Sequence, residues 1–284
     1  QVVVRLGDRV IVEHPTFPPL LDLLEKIGAD VIGVEVDAQG MNVEALTAAL
    51  EQKPTALFLQ PRAQNPTGVT MSAQRAKHIA DAIVASGHSE SITIIEDDHA
   101  GDIAVGELNS IGNYLPTRTV HIRSYSKSHG PDLRLAAVGG AGDVISAAAN
   151  RRLLGPGWSS RILQAVLLEL LDDQATLESL SHARSEYSRR RHEVVQILNE
   201  RNVFSTGTDG INLWVRVSDE RSALMTLAAQ GIGAAPGTPF LVNTHPDSMR
   251  LTVGLLGAAS DLEATAQAIA SAATTSGSGR RGQR

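Results

Sequence analysis

Short apolar runs alternate with amphipathic stretches through the first half of the chain, and this alternation predicts a strand–helix repeat. The runs at 10–13, 31–36, 55–60, 92–95 and 119–123 are too short for helices and rich in Val, Ile and Leu, as buried strands are. Between them, residues 20–27 put their apolar positions on one helical face and stop at Gly28, a residue suited to a helix C-terminus. Residues 42–52 read as a second helix. Ser72 is placed to cap a third, which runs to about Ala85 with Ala76, Ile79, Ala80 and Ile83 on one face. A further strand is expected at 136–141. Strands and helices alternating over 1–150 predict a mostly parallel sheet with right-handed crossovers, whose ligands are held by loops at the C-terminal strand ends.

The pattern changes after Gly155-Pro156-Gly157-Trp158. Residues 159–171 form a strongly apolar helix, expected at the margin of the large domain or at a subunit contact. Residues 177–200 form a long helix with Arg184, Arg189, Arg190 and Arg191 on its polar side. Glu178, Glu186, Glu193 and Glu200 interleave with them at helical spacing, which marks a solvated helix between domains, not a nucleic-acid surface. Strands at 211–217 and 249–253, with helices at 221–229 and 262–272, predict a small α+β domain. The expected division is 1–170 for a large ligand-binding domain, 171–273 for the interdomain helix and small domain, and 274–284 for a Ser/Gly/Arg-rich tail without fixed structure.

Composition narrows the classes. The 284 residues and 42% hydrophobic content suit a globular α/β protein, and no apolar run reaches the roughly 20 residues that span a bilayer. Cysteine is absent, which removes disulfides and thiolate metal sites and fits a reducing cytosol. The nine histidines are not spaced as metal ligands, so no metal is expected. A formal net charge of −6 argues against nucleic-acid binding by this portion. The chain opens on Gln1 and enters a strand-like run directly, so further sequence upstream is expected.

The chemistry concentrates at strand ends. Lys127 lies in Ser124-Tyr125-Ser126-Lys127-Ser128, with Arg134 seven residues on. A lysine amine can form a Schiff base with an aldehyde cofactor, while hydroxyls and a guanidinium hold its phosphate. A solvated loop lysine is the plain alternative. Asn65 sits in Asn65-Pro66-Thr67-Gly68 at the tip of the 55–60 strand, where it either serves the turn or faces a ligand. Asp97 ends the 92–95 strand, as a cap or ion-pair partner or as an anion beside a ligand.

In their order and spacing, the segments carrying Asn65, Asp97 and Lys127 resemble the class I/II aminotransferases, pyridoxal phosphate (PLP) enzymes of fold type I, and the resemblance runs from residue 10 to about 273. It implies Lys127 as the lysine bonded to PLP, Asp97 as partner of the pyridine nitrogen, Asn65 as donor to the phenolic oxygen, and Ser124, Ser126 and Arg134 as phosphate ligands. It also implies Phe17, where relatives commonly carry tyrosine, as the aromatic stacked on the ring; the alternative is an ordinary core residue. In Met249-Arg250-Leu251-Thr252-Val253 it implies Arg250 as the grip on a substrate α-carboxylate, against an edge-strand arginine without a ligand. His99 stands where many relatives carry tyrosine; its imidazole could donate to the same phenolic oxygen or merely pack nearby.

The compact Glu96-Asp97-Asp98-His99 string resembles the MocR group, in which a GntR-type DNA-binding domain precedes an aminotransferase-like domain. The resemblance therefore implies the effector-sensing half of such a regulator, cytoplasmic and homodimeric, that takes an amino acid or amine and contacts DNA only through a separate N-terminal domain. The alternative is a free-standing amino-acid aminotransferase, and another PLP reaction such as β-elimination stays open. The family's glycine-containing phosphate loop and N-terminal arm have no counterpart in these residues.

Overall fold

The computed structural model describes residues 2–87, 90–256 and 259–275. The first half builds β1 (Arg9–His14), α1 (Pro18–Ile27), β2 (Asp30–Asp37), β3 (Gly40–Met41), α2 (Val43–Leu50), β4 (Ala56–Leu59), α3 (Ala73–Ala85), β5 (Thr93–Asp98), β6 (Thr119–Ser124) and β7 (Ala136–Gly140). These strands form one sheet in the order β3-β2-β1-β4-β5-β6-β7. The pairs β1–β2, β1–β4, β4–β5 and β5–β6 are parallel, and the flanking β3 and β7 are antiparallel.

Helix boundaries follow from local chemistry. Asn42 and Ser72 cap α2 and α3 by accepting the N–H groups of Ala45 and Arg75 at 2.9 and 3.1 Å. Pro18 occupies the first turn of α1, and Gly28 closes that helix in the left-handed conformation at φ 75°. The central register Ile11–Leu57–Ile94 is a row of fully buried side chains across three strands. Each contributes about 1.5–3 kcal/mol of hydrophobic stabilisation. Leu46, Leu50, Ile79 and Ile83 from α2 and α3 cover one face, and Leu24 of α1 covers the other.

The second half contains α4 (Gly142–Arg152), α5 (Arg161–Asp172), α6 (Gln174–Glu200), β8 (Ser205–Thr206), β9 (Asn212–Arg216), α7 (Glu220–Ala228), β10 (Ala235–Pro236), β11 (Ser248–Thr252) and α8 (Ala259–Ala273). A four-stranded antiparallel sheet, β10-β11-β9-β8, packs Leu213, Val215, Met249 and Leu251 against Val194 and Leu198 of α6 and Ile269 of α8. The two sheets are tied together at Asp209, which is buried and accepts from Val105 N, Gly106 N and the Thr70 hydroxyl at 2.7–2.9 Å.

Several details differ from the sequence reading. Helix α4 is an additional element. Arg191 does not lie on the polar side of α6; it is 5% exposed and donates to Gly210 O at 2.6 Å. Three consecutive arginines span about 200° of a helix, so they cannot share one face. Arg189 and Arg190 do pair with Glu186, as the charge spacing predicts. Of the expected tail, Thr274 and Thr275 close α8, with Thr275 N donating to Ala272 O, and residues 276–284 lie outside the described residues. Among the described residues no helix is long and apolar enough to cross a membrane.

Candidate functional site

Strand β1 lies between β2 and β4, so the chain leaves β1 in one direction and later returns to its other side. In an open α/β sheet a crevice forms at such a reversal, outside the carboxyl ends of the strands. A cavity of about 350 Å³ lies there, walled by Phe17 from the loop after β1, Asn65 from the loop after β4, Asp97 and His99 from the end of β5, Lys127 from the loop after β6 and Arg250 from β11. Phe17 and Lys127, 110 positions apart in sequence, thus share one wall because parallel strands deliver their ends to the same edge, and Arg250 reaches it from the antiparallel sheet.

Alternation along β5 sorts its acidic end. Glu96 and Asp98 turn to one side and are fully buried, while Asp97 and His99 turn to the cavity. Asp98 is held by Arg62, with bonds at 2.7 and 3.1 Å, and by Arg123 at 2.5 Å. Burial opposes its charge, but donation from His121, Arg62 and Arg123 overrides this and holds Asp98 well below the usual carboxylate range. Glu96 accepts from Ser110 Oγ and Ile111 N, each at 2.6 Å, and its Oε2 lies 3.0 Å from His121 Nδ1. This ion-paired layer is the foundation on which Asp97 stands.

His121 lies 3.0 Å from Glu96 and 3.8 Å from Asp98 and is pushed up to about 9 by Asp98 and Glu96, against the effect of burial. A histidine raised in the folded state stabilises fully below its ordinary value of about 6.5 and loses that contribution as pH rises through about 9. The contribution lost between these limits is roughly 3 kcal/mol. Urea unfolding at pH 6 and pH 9 is expected to show this loss in the wild type, with a clearly smaller loss in His121→Gln. Equal pH dependence in the two proteins would contradict the assignment. Glu13, raised to about 8, adds a loss of the same sign from about 4.5 upward that is common to both proteins.

Asn65 is buried. Its Oδ1 lies 3.3 Å from Arg250 Nη1 and 3.5 Å from Asn212 Nδ2, which leaves its own Nδ2 hydrogens as donors. Asp97 accepts from Gln60 Nε2 at 2.8 Å on Oδ2, and among the described residues nothing donates to Oδ1. Lys127 Nζ makes no hydrogen bond or ion pair with any described residue. Arg250 lies 5.3 Å over the Phe240 ring, and its Nε is buried without a partner. Burial lowers its basicity, which marks a guanidinium short of counter-charge. His99 Nε2 lies 3.0 Å from Ala63 O, and burial pushes the imidazole down. A neutral ring donating to Ala63 leaves Nδ1 as an acceptor, not a donor.

Ser124 ends β6 and Ser126 and Arg134 lie on the Lys127 loop, all outside the cavity wall. Ser124 Oγ accepts from Ser126 N at 3.3 Å, and Arg134 is exposed with φ 50°. Phe17 also borders an adjoining apolar cavity of about 240 Å³ walled by Leu20, Leu23, Phe58, Ile95 and Ile122. Gln60, Glu13 and Asn212 belong to the site region and were not singled out from sequence. No local pattern marks them, since each acts through a contact between strands.

The family model for aminotransferase class I and II matches residues 2–269. The vitamin B6 salvage pathway transcriptional repressor PtsJ of Salmonella typhimurium is 32% identical over 253 residues, covering 88% of this chain and 58% of that protein. Aminotransferase swnA of Metarhizium robertsii is also 32% identical, over 76% of this chain and 47% of its own. The HTH-type transcriptional regulator TauR of Rhodobacter capsulatus is 26% identical, with 84% and 50% covered. The chain thus spans about half the length of the curated relatives it matches. Among solved structures, kynurenine aminotransferase of Pyrococcus horikoshii superposes with a TM-score of 0.83 at 23% identity, covering 95% of this chain and 70% of that one. Aspartate aminotransferase of Thermus thermophilus gives 0.83 at 22%, covering 95% and 71%. At this identity the structural likeness establishes the fold: fold type I, a mostly parallel sheet flanked by helices with a smaller α+β part.

Proposed function

The chain belongs to the class I and II aminotransferase family, and we propose that it binds pyridoxal 5′-phosphate and detects an amino acid there, as the effector-sensing part of a MocR (GntR-type) transcription regulator. The observation that carries this reading is the convergence of Asn65, Asp97, Lys127 and Arg250 on one cavity at the reversal of strand order. The donor set fits the cofactor: an unpaired amine for its aldehyde, a carboxylate oxygen for its ring nitrogen, and an amide donor for its phenolic oxygen. PtsJ is named as a transcriptional repressor and TauR as a transcriptional regulator, which supports sensing over turnover.

When bound, PLP supplies an electron sink for bonds at the α-carbon of an attached amino acid. In this reading Asp97 Oδ1 holds a proton on the ring nitrogen, and Asn65 Nδ2 donates to the phenolic oxygen. Phe17 would cover the ring, His99 lines the same side as Asp97, and Ser124, Ser126 and Arg134, just outside the cavity wall, would hold the phosphate. Arg250 would grip the α-carboxylate, and Lys127 Nζ would be the group placed to hold or move a proton at the α-carbon. We assign residues 1–170 to the cofactor-binding domain and 171–273 to the interdomain helix and the small domain that presents Arg250. The exposed apolar side chains Ile162, Val166 and Leu168 on α5 support a homodimer. The protein acts in the cytoplasm, and DNA contact belongs to a segment outside these 284 residues.

The second reading, a free-standing aminotransferase, is favoured by swnA at 32% identity. The PLP-loaded protein mixed with single amino acids and a 2-oxo acid separates the two. Sensing predicts a change in the cofactor spectrum with no more than one equivalent of keto acid per site. Many turnovers per site would replace it with the enzyme reading.

A further inference from the structure

The strongest unassigned feature is a buried amide at the reversal of strand order. Gln60 follows β4 directly and is 7% exposed. Its backbone N donates to Glu13 Oε2 at 2.9 Å, its Nε2 to Asp97 Oδ2 at 2.8 Å, and its Oε1 accepts from Asn65 N at 2.8 Å. We propose that Gln60 is a positioning residue that couples Asp97 to Asn65, so that the carboxylate at the ring nitrogen and the amide at the phenolic oxygen are set by one clamp anchored on Glu13. This rests on the PLP reading above and deepens it.

The orientation of the amide is fixed by its neighbours. A backbone N–H can only donate, so Oε1 must face Asn65; a carboxylate accepts, so Nε2 must face Asp97. In the β4–β5 register Leu59 pairs with Glu96, which puts Gln60 beside Asp97 one step further along parallel strands. The cavity needs this clamp because its two polar poles lie on different strands with little else to join them. Nothing else donates to Asp97 among the described residues, and Gln60 fixes Asn65 through its backbone N–H, while the Asn65 side chain meets only Arg250 and Asn212 at 3.3 and 3.5 Å among them. The titratable and charged groups facing the clamp are Glu13, Asp97, His99, Lys127 and Arg250.

Gln60→Met keeps length and volume and removes both side-chain bonds. With PLP as the probe, its Kd is expected to rise about tenfold. The titration midpoint of the visible band is expected to rise by about 0.5–1 pH unit, because a phenolic oxygen with a weakened donor holds its shared proton more tightly. If the residue acts through its partners, the midpoint of Gln60→Met/Asn65→Ala will equal that of Asn65→Ala alone. Likewise, the Kd of Gln60→Met/Asp97→Asn will equal that of Asp97→Asn alone. Additive effects in both cycles would overturn the clamp. So would a wild-type titration in Gln60→Met while Asn65→Ala shifts it. Failure of both Gln60→Met and Gln60→Leu to fold, with Asp97→Asn folded, would reduce Gln60 to a structural role and overturn it too. If wild type binds no PLP, the PLP reading itself fails, a result distinct from any of these.

Discussion

Lys127→Ala is expected to lose the visible band of the lysine-bonded cofactor, together with its covalent capture on the chain by borohydride. The chain has four lysines, Lys26, Lys53, Lys77 and Lys127. Lys26 ends α1 on the surface and Lys53 follows α2. Lys77 is paired with Asp81 at 2.6 Å on an exposed helix face. Among the described residues Lys127 is the lysine that lines the cavity, and its amine makes no hydrogen bond or ion pair with them. Asp97 and Asn65 remain in the variant, so PLP binds more weakly but still binds. Any conversion of an amino acid to its keto acid within the site is expected to fall by about 10²–10⁴, the range for loss of a positioned acid–base group. Visible absorption equal to wild type would contradict the assignment.

Arg250→Met is expected to weaken amino-acid binding at the same site by about 10²–10³, without a comparable change in PLP affinity. Among the described residues its Nε is buried with no partner and its one hydrogen bond, to Asn65, is long at 3.3 Å. A guanidinium held this way can receive a carboxylate through two parallel bonds. Truncating one member of a buried charge pair costs about 2–5 kcal/mol, which sets the expected loss. Arg250→Lys restores the charge but not the fork, so it should recover little. An amine without a carboxylate provides the control, because its binding should not depend on Arg250. Titration of the cofactor spectrum with an amino acid and with its decarboxylated amine measures both. Equal loss for the two ligands would show that Arg250 shapes the pocket and does not grip a carboxylate.

The parts of the fold legible in sequence were those whose pattern is local. Strands β1 and β4 are buried on both faces, and with β2, β5 and β6 they read as apolar runs, while Asn42, Ser72 and Gly28 mark helix ends by short-range chemistry. Strands β3, β8 and β10 have two residues each, too few to show a period, and exist only because a partner strand lies alongside. Helix α4, Gly142–Arg152, packs so loosely that none of its residues is buried, and its weak apolar face left no signal. Candidate site residues were legible where a motif placed them at a strand end, as with Asn65 and Asp97. Gln60 and Glu13 were not, because their bonds join residues 37 and 47 positions apart, and Asn212 meets Asn65 across 147. A one-dimensional pattern carries no record of such pairings. His99 illustrates the same limit, since sequence supplies an imidazole while only the fold commits its Nε2 to the Ala63 carbonyl.

The central claim is that this cavity holds PLP through Lys127, and peptide mapping after borohydride reduction tests it most directly. The PLP-loaded wild-type protein is reduced, digested and analysed by mass spectrometry, with four lysines to distinguish. The account predicts one phosphopyridoxyl group per chain, on Lys127. A group on Lys26, Lys53 or Lys77 in its place, or no group at saturating PLP, would contradict it.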